Sequence, residues 1–437
     1  MMNRSVAAAL LALLARIVSG RKGFGPGEQD WAYVQLRQGA HMFWWLFYAG
    51  GSEANDRPLV VWLQGGPGAS SSAIGNFGEI GPIDARLRAR NHTWVEDYNV
   101  LFIDNPVGTG FSYVDDYERL ANNNSQIARD LVSCIEAFYR RMTAFAATPA
   151  YLVAQSYGGK MAVEFANHWY RRQTQGLIRS NLRGIGLIDS SISAIDNYRF
   201  FASYLLHTGF VDMIGFRRVD LVAEKLEQAA AAGHWPRVVD ITQQIEALVV
   251  NITDNMDWYN ILNKVDTCSS KALSDKYVDL MNGPVRSSLN LTSYWGHQSY
   301  QVALALLEDN MKPVIDQGNF IMTITRQRHK VSRIFYTIIQ VEMLLNSTEL
   351  KVHVCTGQLD FIINTPGTLK WIEKMKGWKD LDKWIKAPRL PLVIDNVIEG
   401  YSKSYDRFKL FWVNRAGHAI PVDNVIAMKH ILKDLIE

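Results

Sequence analysis

The sequence predicts an α/β protein: a mostly parallel central sheet with helices on both faces, overlaid by a mainly helical cap insertion. Two observations predict it. In the first half of the 437-residue chain, short apolar runs alternate with stretches whose apolar residues recur at helical spacing. From Ile192 to Asn310 the alternation stops and helical patterns dominate; it resumes with "LKVHVCTGQLDFIIN" and "FKLFWVNRAGHAIP". Hydrophobic residues make up 48% and charged residues 20%, a composition that supports one large core with an insertion.

Taken in order, residues 1–20, "MMNRSVAAALLALLARIVSG", have a positive start at Arg4, a short apolar stretch and small residues Val18, Ser19 and Gly20. They read as a secretory signal peptide, the rival being an apolar N-terminal helix. No later run of about 20 apolar residues follows, so no membrane span is expected. Residues 21–191 form the first α/β part. "RPLVVWLQGG", "NVLFIDNPVG", "PAYLVAQSYGG" and "LRGIGLIDS" read as buried strands ending in loops. "SQIARDLVSCIEAFYRRM" and "KMAVEFANHWYRR" read as the helices between them. Residues 192–310 form the cap, with "GFRRVDLVAEKLEQAAAAGHW" and "VVDITQQIEALVVNIT" as helices. Residues 311–437 restore the α/β pattern. Functional loops belong at the carboxyl ends of the strands of such a sheet.

The net charge of +3 is spread along the chain, with no basic stripe, zinc-finger spacing or RNA-binding signature, so nucleic acid is not an expected partner. The three cysteines, Cys134, Cys268 and Cys355, permit one intramolecular disulfide at most. Cys134 lies in a helical pattern and Cys355 in a strand-like one, and both read as small buried hydrophobes. No paired Cys-x-x-Cys or His-Glu-x-x-His motif occurs, so neither a metal nor another cofactor is expected. Asn91, Asn123, Asn251, Asn290 and Asn346 each begin an N-glycosylation triplet. Together with the N-terminal segment they point to the secretory route, either secreted or lysosomal.

The candidate chemistry starts at "YLVAQSYGGK". A nucleophile elbow needs a strand, a sharp turn and a helix, with small residues two before and two after the nucleophile. Here those are Ser156, Ala154 and Gly158; the plain alternative is an ordinary strand-to-helix turn. A serine hydroxyl needs a base, and the base needs an acid to orient it. Asp360, in "TGQLDFIIN", and His418, in "NRAGHAIP", both follow strands and come in the order Ser, Asp, His. The long interval between Ser156 and Asp360 is what a cap insertion creates. "WLQGGPGASSS" offers backbone N–H groups for a developing oxyanion, with Gly66 and Tyr157 as the expected donors. A phosphate loop is excluded because no Gly-Lys-Ser/Thr ending follows.

The segments "VVWLQGGPGASS", "FGEIGP", "LFIDNPVGTGFSY", "QSYGGK", "TGQLDFIIN" and "AGHAIP" occur in the order found in serine carboxypeptidases, and the chain resembles that family of α/β hydrolases over most of its length. "GAHMFWWLFYA" and "SDKYVDLMNGPVR" are similar to its retinoid-inducible and vitellogenic-like animal branch. The resemblance implies an α/β-hydrolase fold and release of a C-terminal residue from peptides or proteins through an acyl-enzyme. It implies that Ser156 attacks, that His418 is base and then acid, and that Asp360 orients His418. It also implies that Gln64, Gly65, Glu79 and Gln155 bind the substrate's terminal carboxylate.

Three departures from the family pattern stand out. Gln64 replaces Asn. Gln155 replaces the Glu directly before the nucleophile, which predicts a weaker loss of affinity toward neutral pH, since an amide donates at any pH while a carboxyl must stay protonated. From about residue 316 to 337 the chain carries an additional segment with Arg326, Arg328, His329, Lys330 and Arg333, readable as a surface loop, a processing site or translated intron sequence. Besides the carboxypeptidase, two further readings stay open: an acyltransferase or esterase using the same acyl-enzyme, and a catalytically weak secreted binding homologue. Oligomeric state is not legible.

Overall fold

The six apolar runs read as strands become six adjacent parallel strands, and they carry every loop of the candidate site. The computed structural model describes residues 21–51, 56–265, 267–307, 311 and 336–437. The expected signal peptide lies outside the described residues, as does 316–335 of the additional segment. In chain order the strands are β1 (Arg21–Lys22), β2 (Glu28–Arg37), β3 (Ala40–Phe47), β4 (Leu59–Leu63), β5 (Asn99–Asp104), β6 (Tyr113–Val114), β7 (Pro149–Gln155), β8 (Asn181–Ile188), β9 (Lys351–Gly357), β10 (Arg389–Ile394), β11 (Val397–Tyr405) and β12 (Phe408–Val413). They form one sheet in the order β1-β2-β3-β5-β4-β7-β8-β9-β12-β11-β10, with β6 beside β3. The stretch from β5 to β12 is parallel.

Antiparallel strands extend the sheet at both ends, and the sequence reading did not include them. The reason is physical. Strands buried on both faces read as unbroken apolar runs, whereas β2, β10 and β11 mix exposed and buried positions; β3 is nearly as buried as the central strands. β4 and β5 are buried throughout. β10 has one buried residue and carries Pro391, which an edge strand tolerates.

Alternation along each strand sends side chains to opposite faces. Leu59, Val61 and Leu63 of β4 join one buried cluster with Ile127, Leu131, Ile135 and Phe138 of helix Asn124–Arg141, and with Met161, Phe165 and Trp169 of helix Tyr157–Thr174. Val60 and Trp62 join the other, with Phe77 and with Met428, Ile431 and Leu435 of the C-terminal helix Val425–Ile436. Helix Asn124–Arg141 begins with the Asn123 side chain accepting from Gln126 N–H at 2.9 Å and ends in Arg140 and Arg141, both favourable to the helix dipole.

Between β8 and β9 the described residues hold helices Ala194–Arg199, Phe201–His207, Met213–Ala231, Trp235–Ile252, Thr267–Leu280 and Ser299–Ala305. The first four enclose a third cluster that includes Phe201, Leu205, Val219, Leu226, Ile241, Ile245 and Phe361, while Leu280 and Val302 of the last two pack into the sheet clusters. Phe361 belongs to the loop after β9, one residue beyond Asp360. Its ring lies 4.1 Å from that of Phe201 and 5.1 Å from that of Trp258, centroid to centroid. The cap core is therefore seated on the chain beside Asp360. Among the described residues no helix is long and apolar enough to cross a membrane.

Cys134 and Cys355 are buried free thiols, on helix Asn124–Arg141 and strand β9. Burial holds the Cys134 thiol well above its ordinary pKa. Cys268 falls in helix Thr267–Leu280, and its side chain lies outside the described residues.

Candidate active site

Ser156 sits between the last residue of β7 and the first residue of helix Tyr157–Thr174, at φ 58° and ψ −129°. A non-glycine residue with positive φ is strained, by about 1–3 kcal/mol, and persists only where its surroundings hold it. Here they do. Ser156 N–H donates to Ile188 O at 3.1 Å, and Ser156 O accepts from Gly159 N–H at 3.0 Å and Ser191 N–H at 2.9 Å. Two glycines permit the close approach. A Cβ on Gly158 would lie 2.5 Å from Leu63 O, and one on Gly65 would lie 2.6 Å from Ser156 Cβ and 2.9 Å from Tyr157 N. Ala154 takes the position two before Ser156 without conflict. It is fully buried, paired in register with Leu63 on one side and Leu187 on the other.

Asp360 and His418 come together because β9 and β12 are parallel neighbours whose following loops bond to each other. Gln358 N–H donates to Val413 O at 2.9 Å and Leu359 N–H to Ala416 O at 2.8 Å. His418 Nδ1 and Asp360 Oδ2 are 2.7 Å apart, both groups buried. Asp360 Oδ1 accepts from Ile363 N–H at 3.1 Å. With Asp360 holding the Nδ1 proton, Nε2 is the ring nitrogen available as a base. Burial opposes the imidazolium, but the charge and hydrogen bond of Asp360, with Glu79 and Asp257 adding, leave the His418 pKa above its ordinary value. The cap bears on the ring as well: His418 N–H donates to Tyr259 O at 2.7 Å, and the two rings meet edge to face with centroids 5.1 Å apart.

A second polar group adjoins Ser156. Gln64 Nε2 donates to Glu79 Oε1 at 3.0 Å and to Gln155 Oε1. Gln155 Nε2 donates to Glu79 Oε2 at 2.8 Å and to His418 O at 3.1 Å. Gln64 Oε1 accepts from Trp62 Nε1 at 2.8 Å, which fixes which way the amide faces. Burial lifts the Glu79 carboxyl to about 7, against the opposing pull of Gln64, His418, Gln155 and Arg90. The structure thus brings Gln64, Gly65, Glu79 and Gln155 into one patch, linked to His418 through its carbonyl. Gly66, at φ 109°, continues the Gly65 turn, and the positive end of helix Tyr157–Thr174 lies behind Ser156.

Two neighbours were missed in the sequence. Trp62 read as a core residue of β4, and nothing in its pattern signalled a hydrogen bond to Gln64. Asp189 closes the β8 segment "LRGIGLIDS" at φ 39° and is fully buried. Its one signal was a carboxylate at the carboxyl end of the strand next to β7. Of the glycosylation candidates, Asn91, Asn251, Asn290 and Asn346 are exposed, while Asn123 is partly buried and caps its helix.

A sharp strand–Ser–helix turn, a histidine paired with a buried aspartate, and both of these at the carboxyl ends of parallel strands define an α/β hydrolase. The serine carboxypeptidase family matches residues 22–437, and the chain belongs to that family. The retinoid-inducible serine carboxypeptidase of Rattus norvegicus is 34% identical, over 91% of this chain and 89% of its own length. Serine carboxypeptidase-like 51 of Arabidopsis thaliana is 30% identical, over 97% and 96%. Among solved structures, the prohormone-processing carboxypeptidase Kex1(delta)p of Saccharomyces cerevisiae shares the fold with a TM-score of 0.76 at 20% identity, covering 94% of this chain and 91% of that one. The protein is an enzyme of the serine carboxypeptidase class.

Proposed function

We propose that this chain hydrolyses the C-terminal bond of peptides or proteins with Ser156 as nucleophile, His418 as general base and acid, and Asp360 as the residue that orients His418. The observation carrying this reading is the Gln64–Glu79–Gln155 patch bonded to the same histidine that pairs with Asp360. A substrate carboxylate held there presents its scissile carbonyl to Ser156. His418 Nε2 takes the hydroxyl proton as Ser156 attacks, and the N–H groups of Gly66 and Tyr157 hold the oxyanion. His418 then protonates the leaving amine. Water, activated by His418, releases the shortened peptide and restores Ser156.

Labelling with a fluorophosphonate, compared with Ser156→Ala and paired with release of C-terminal residues from blocked dipeptides, tests this reading. Expected are labelling and turnover in the wild type and neither in the variant. Labelling without peptide turnover favours an esterase or acyltransferase, and no labelling favours a binding homologue.

Glu79 sets the pH range for binding in this reading. Its neutral carboxyl donates to the substrate carboxylate, while its anion repels it. With its pKa raised to about 7, the donor is present below about 7 and lost above it. KM is expected to rise about tenfold per pH unit above that point, and Glu79→Gln to stay flat through it. Gln155→Glu puts a second carboxyl against Glu79, so its KM is expected to rise from a lower pH. KM profiles of wild type and Gln155→Glu that superimpose would sink this assignment.

The four exposed glycosylation triplets and the N-terminal apolar segment support passage through the secretory route, with the protein secreted or lysosomal. Mass shift on peptide-N-glycosidase treatment of the protein from its native source checks this.

A further inference from the structure

We propose that Asp189 is a positioning residue that stays protonated and donates a hydrogen bond to Asp360, so that a second carboxyl tunes the acid behind His418. The inference rests on Asp360 and His418 having the roles given above. Asp189 is fully buried at the end of β8, between the nucleophile strand β7 and β9. Its Oδ1 accepts from Gly357 N–H at 2.8 Å, whereas the inaccessible Oδ2 has no hydrogen-bond donor among the described residues. Asp189, Asp360 and His418 present side-chain atoms all within 4.8 Å of one another. Two fully buried carboxylates packed this closely do not both ionise.

The proton belongs on Asp189. Asp360 already accepts from both His418 Nδ1 and Ile363 N–H, two bonds that favour its anion. The unpartnered oxygen is on Asp189, where an added proton turns an unsatisfied acceptor into a donor aimed at Asp360. The surrounding charges agree. Burial first, then Asp360, raise the Asp189 pKa well above the usual carboxylate range, and Asp423 adds to this while Gly357 N–H opposes it. The other titratable groups facing it are His418, Cys355 of β9 and Tyr204 of helix Phe201–His207. Burial of Cys355 and Tyr204 raises both groups, so both are neutral alongside Asp189.

The consequence is a graded triad acid. A donated O–H disperses the charge of Asp360 and weakens its pull on the imidazolium, leaving His418 able to release its proton. Asp189→Asn keeps the geometry, with the amide oxygen on Gly357 N–H and the amide nitrogen donating to Asp360. Asp189→Ala removes the donor. Expected are kcat/KM within about threefold of wild type for the Asn variant, and a loss of roughly tenfold or more for Ala. The acidic limb of the kcat/KM profile is expected at the wild-type position for Asn and at higher pH for Ala. An Asn variant as impaired as Ala, or an Ala variant with an unmoved limb, overturns the proposal. A requirement for charge on Asp189, or a cation bridging the two carboxylates, would produce the first of those results.

A second arm is independent of turnover. In a Ser156→Ala background, the melting temperature is followed against pH with and without Asp189→Asn. A carboxyl whose folded pKa is raised contributes stability that is complete below its ordinary range, about 3.9, and lost as pH rises toward the folded value. The Asn variant is therefore expected to melt higher than its parent by a margin that grows from acid to neutral pH. A margin constant across that range overturns the proposal even if Ser156 proves not to be the nucleophile. Absence of turnover in the wild type, with the growing margin present, counts only against the assigned roles of Ser156 and His418.

Discussion

Ser156→Ala is expected to lower kcat by about a millionfold, with KM and the fold little changed. The size follows from how much geometry is dedicated to one hydroxyl. The backbone at φ 58° and ψ −129° holds it at the top of β7, where the Gly65 turn and the first turn of helix Tyr157–Thr174 meet. Removing the hydroxyl leaves that scaffold intact but without the proposed nucleophile, and only binding and electrostatic stabilisation are expected to remain. Single-turnover and steady-state rates on a blocked dipeptide measure the loss. Ser156→Gly offers a companion test, because glycine adopts positive φ without strain. It is expected to be equally inactive yet more stable, by roughly 1–3 kcal/mol if the local strain is fully released. A Gly variant that melts no higher than the Ala variant would show that the turn is held at no energetic penalty.

Gly65→Ala is expected to reduce kcat/KM by about 10²–10³-fold. The added methyl would meet Ser156 Cβ at 2.6 Å, Gln155 O at 2.8 Å and Tyr157 N at 2.9 Å. None of these is the free end of a flexible side chain, so the turn itself must shift. That shift carries Gly66 N–H away from the oxyanion and drags Gln64 off Glu79, so both kcat and KM suffer. Thermal melting guards against a folding defect, and steady-state kinetics supply the result. A Gly65→Ala enzyme within tenfold of wild type would mean that the donors proposed at Gly66 and Tyr157 do not hold the oxyanion.

Much of this arrangement was legible because it is written in local pattern. Apolar runs that stop at a glycine or a catalytic-type residue mark strands buried on both faces, and each of the six runs read that way is a parallel strand. Ser156, Asp360 and His418 were findable because each follows such a run. What escaped depends on distant partners. Strands β10 and β11 are mostly exposed or half-buried, with one and two buried residues, and carry no apolar run to notice. The Trp62 indole looks like any core aromatic until Gln64 is placed beside it. Asp189 takes its meaning from Asp360, far along the chain, and their proximity is a tertiary contact. Gln155 falls in between. Its place before Ser156 linked it to substrate binding, but its amide hydrogens are directed to Glu79 and the His418 carbonyl, a contact only the fold supplies.

The seating of Phe361 in the cap bears on how this protein can change. One face of the loop after β9 presents Asp360 to His418; the next residue plugs into an aromatic socket made by Phe201, Tyr204 and Trp258. The insertion is therefore not an interchangeable module. A lid grafted from another enzyme must bring its own socket for Phe361, or the aspartate loses its anchor. Sequence drift in the lid is accordingly free on its outer surface and constrained where it grips the loop that carries Asp360.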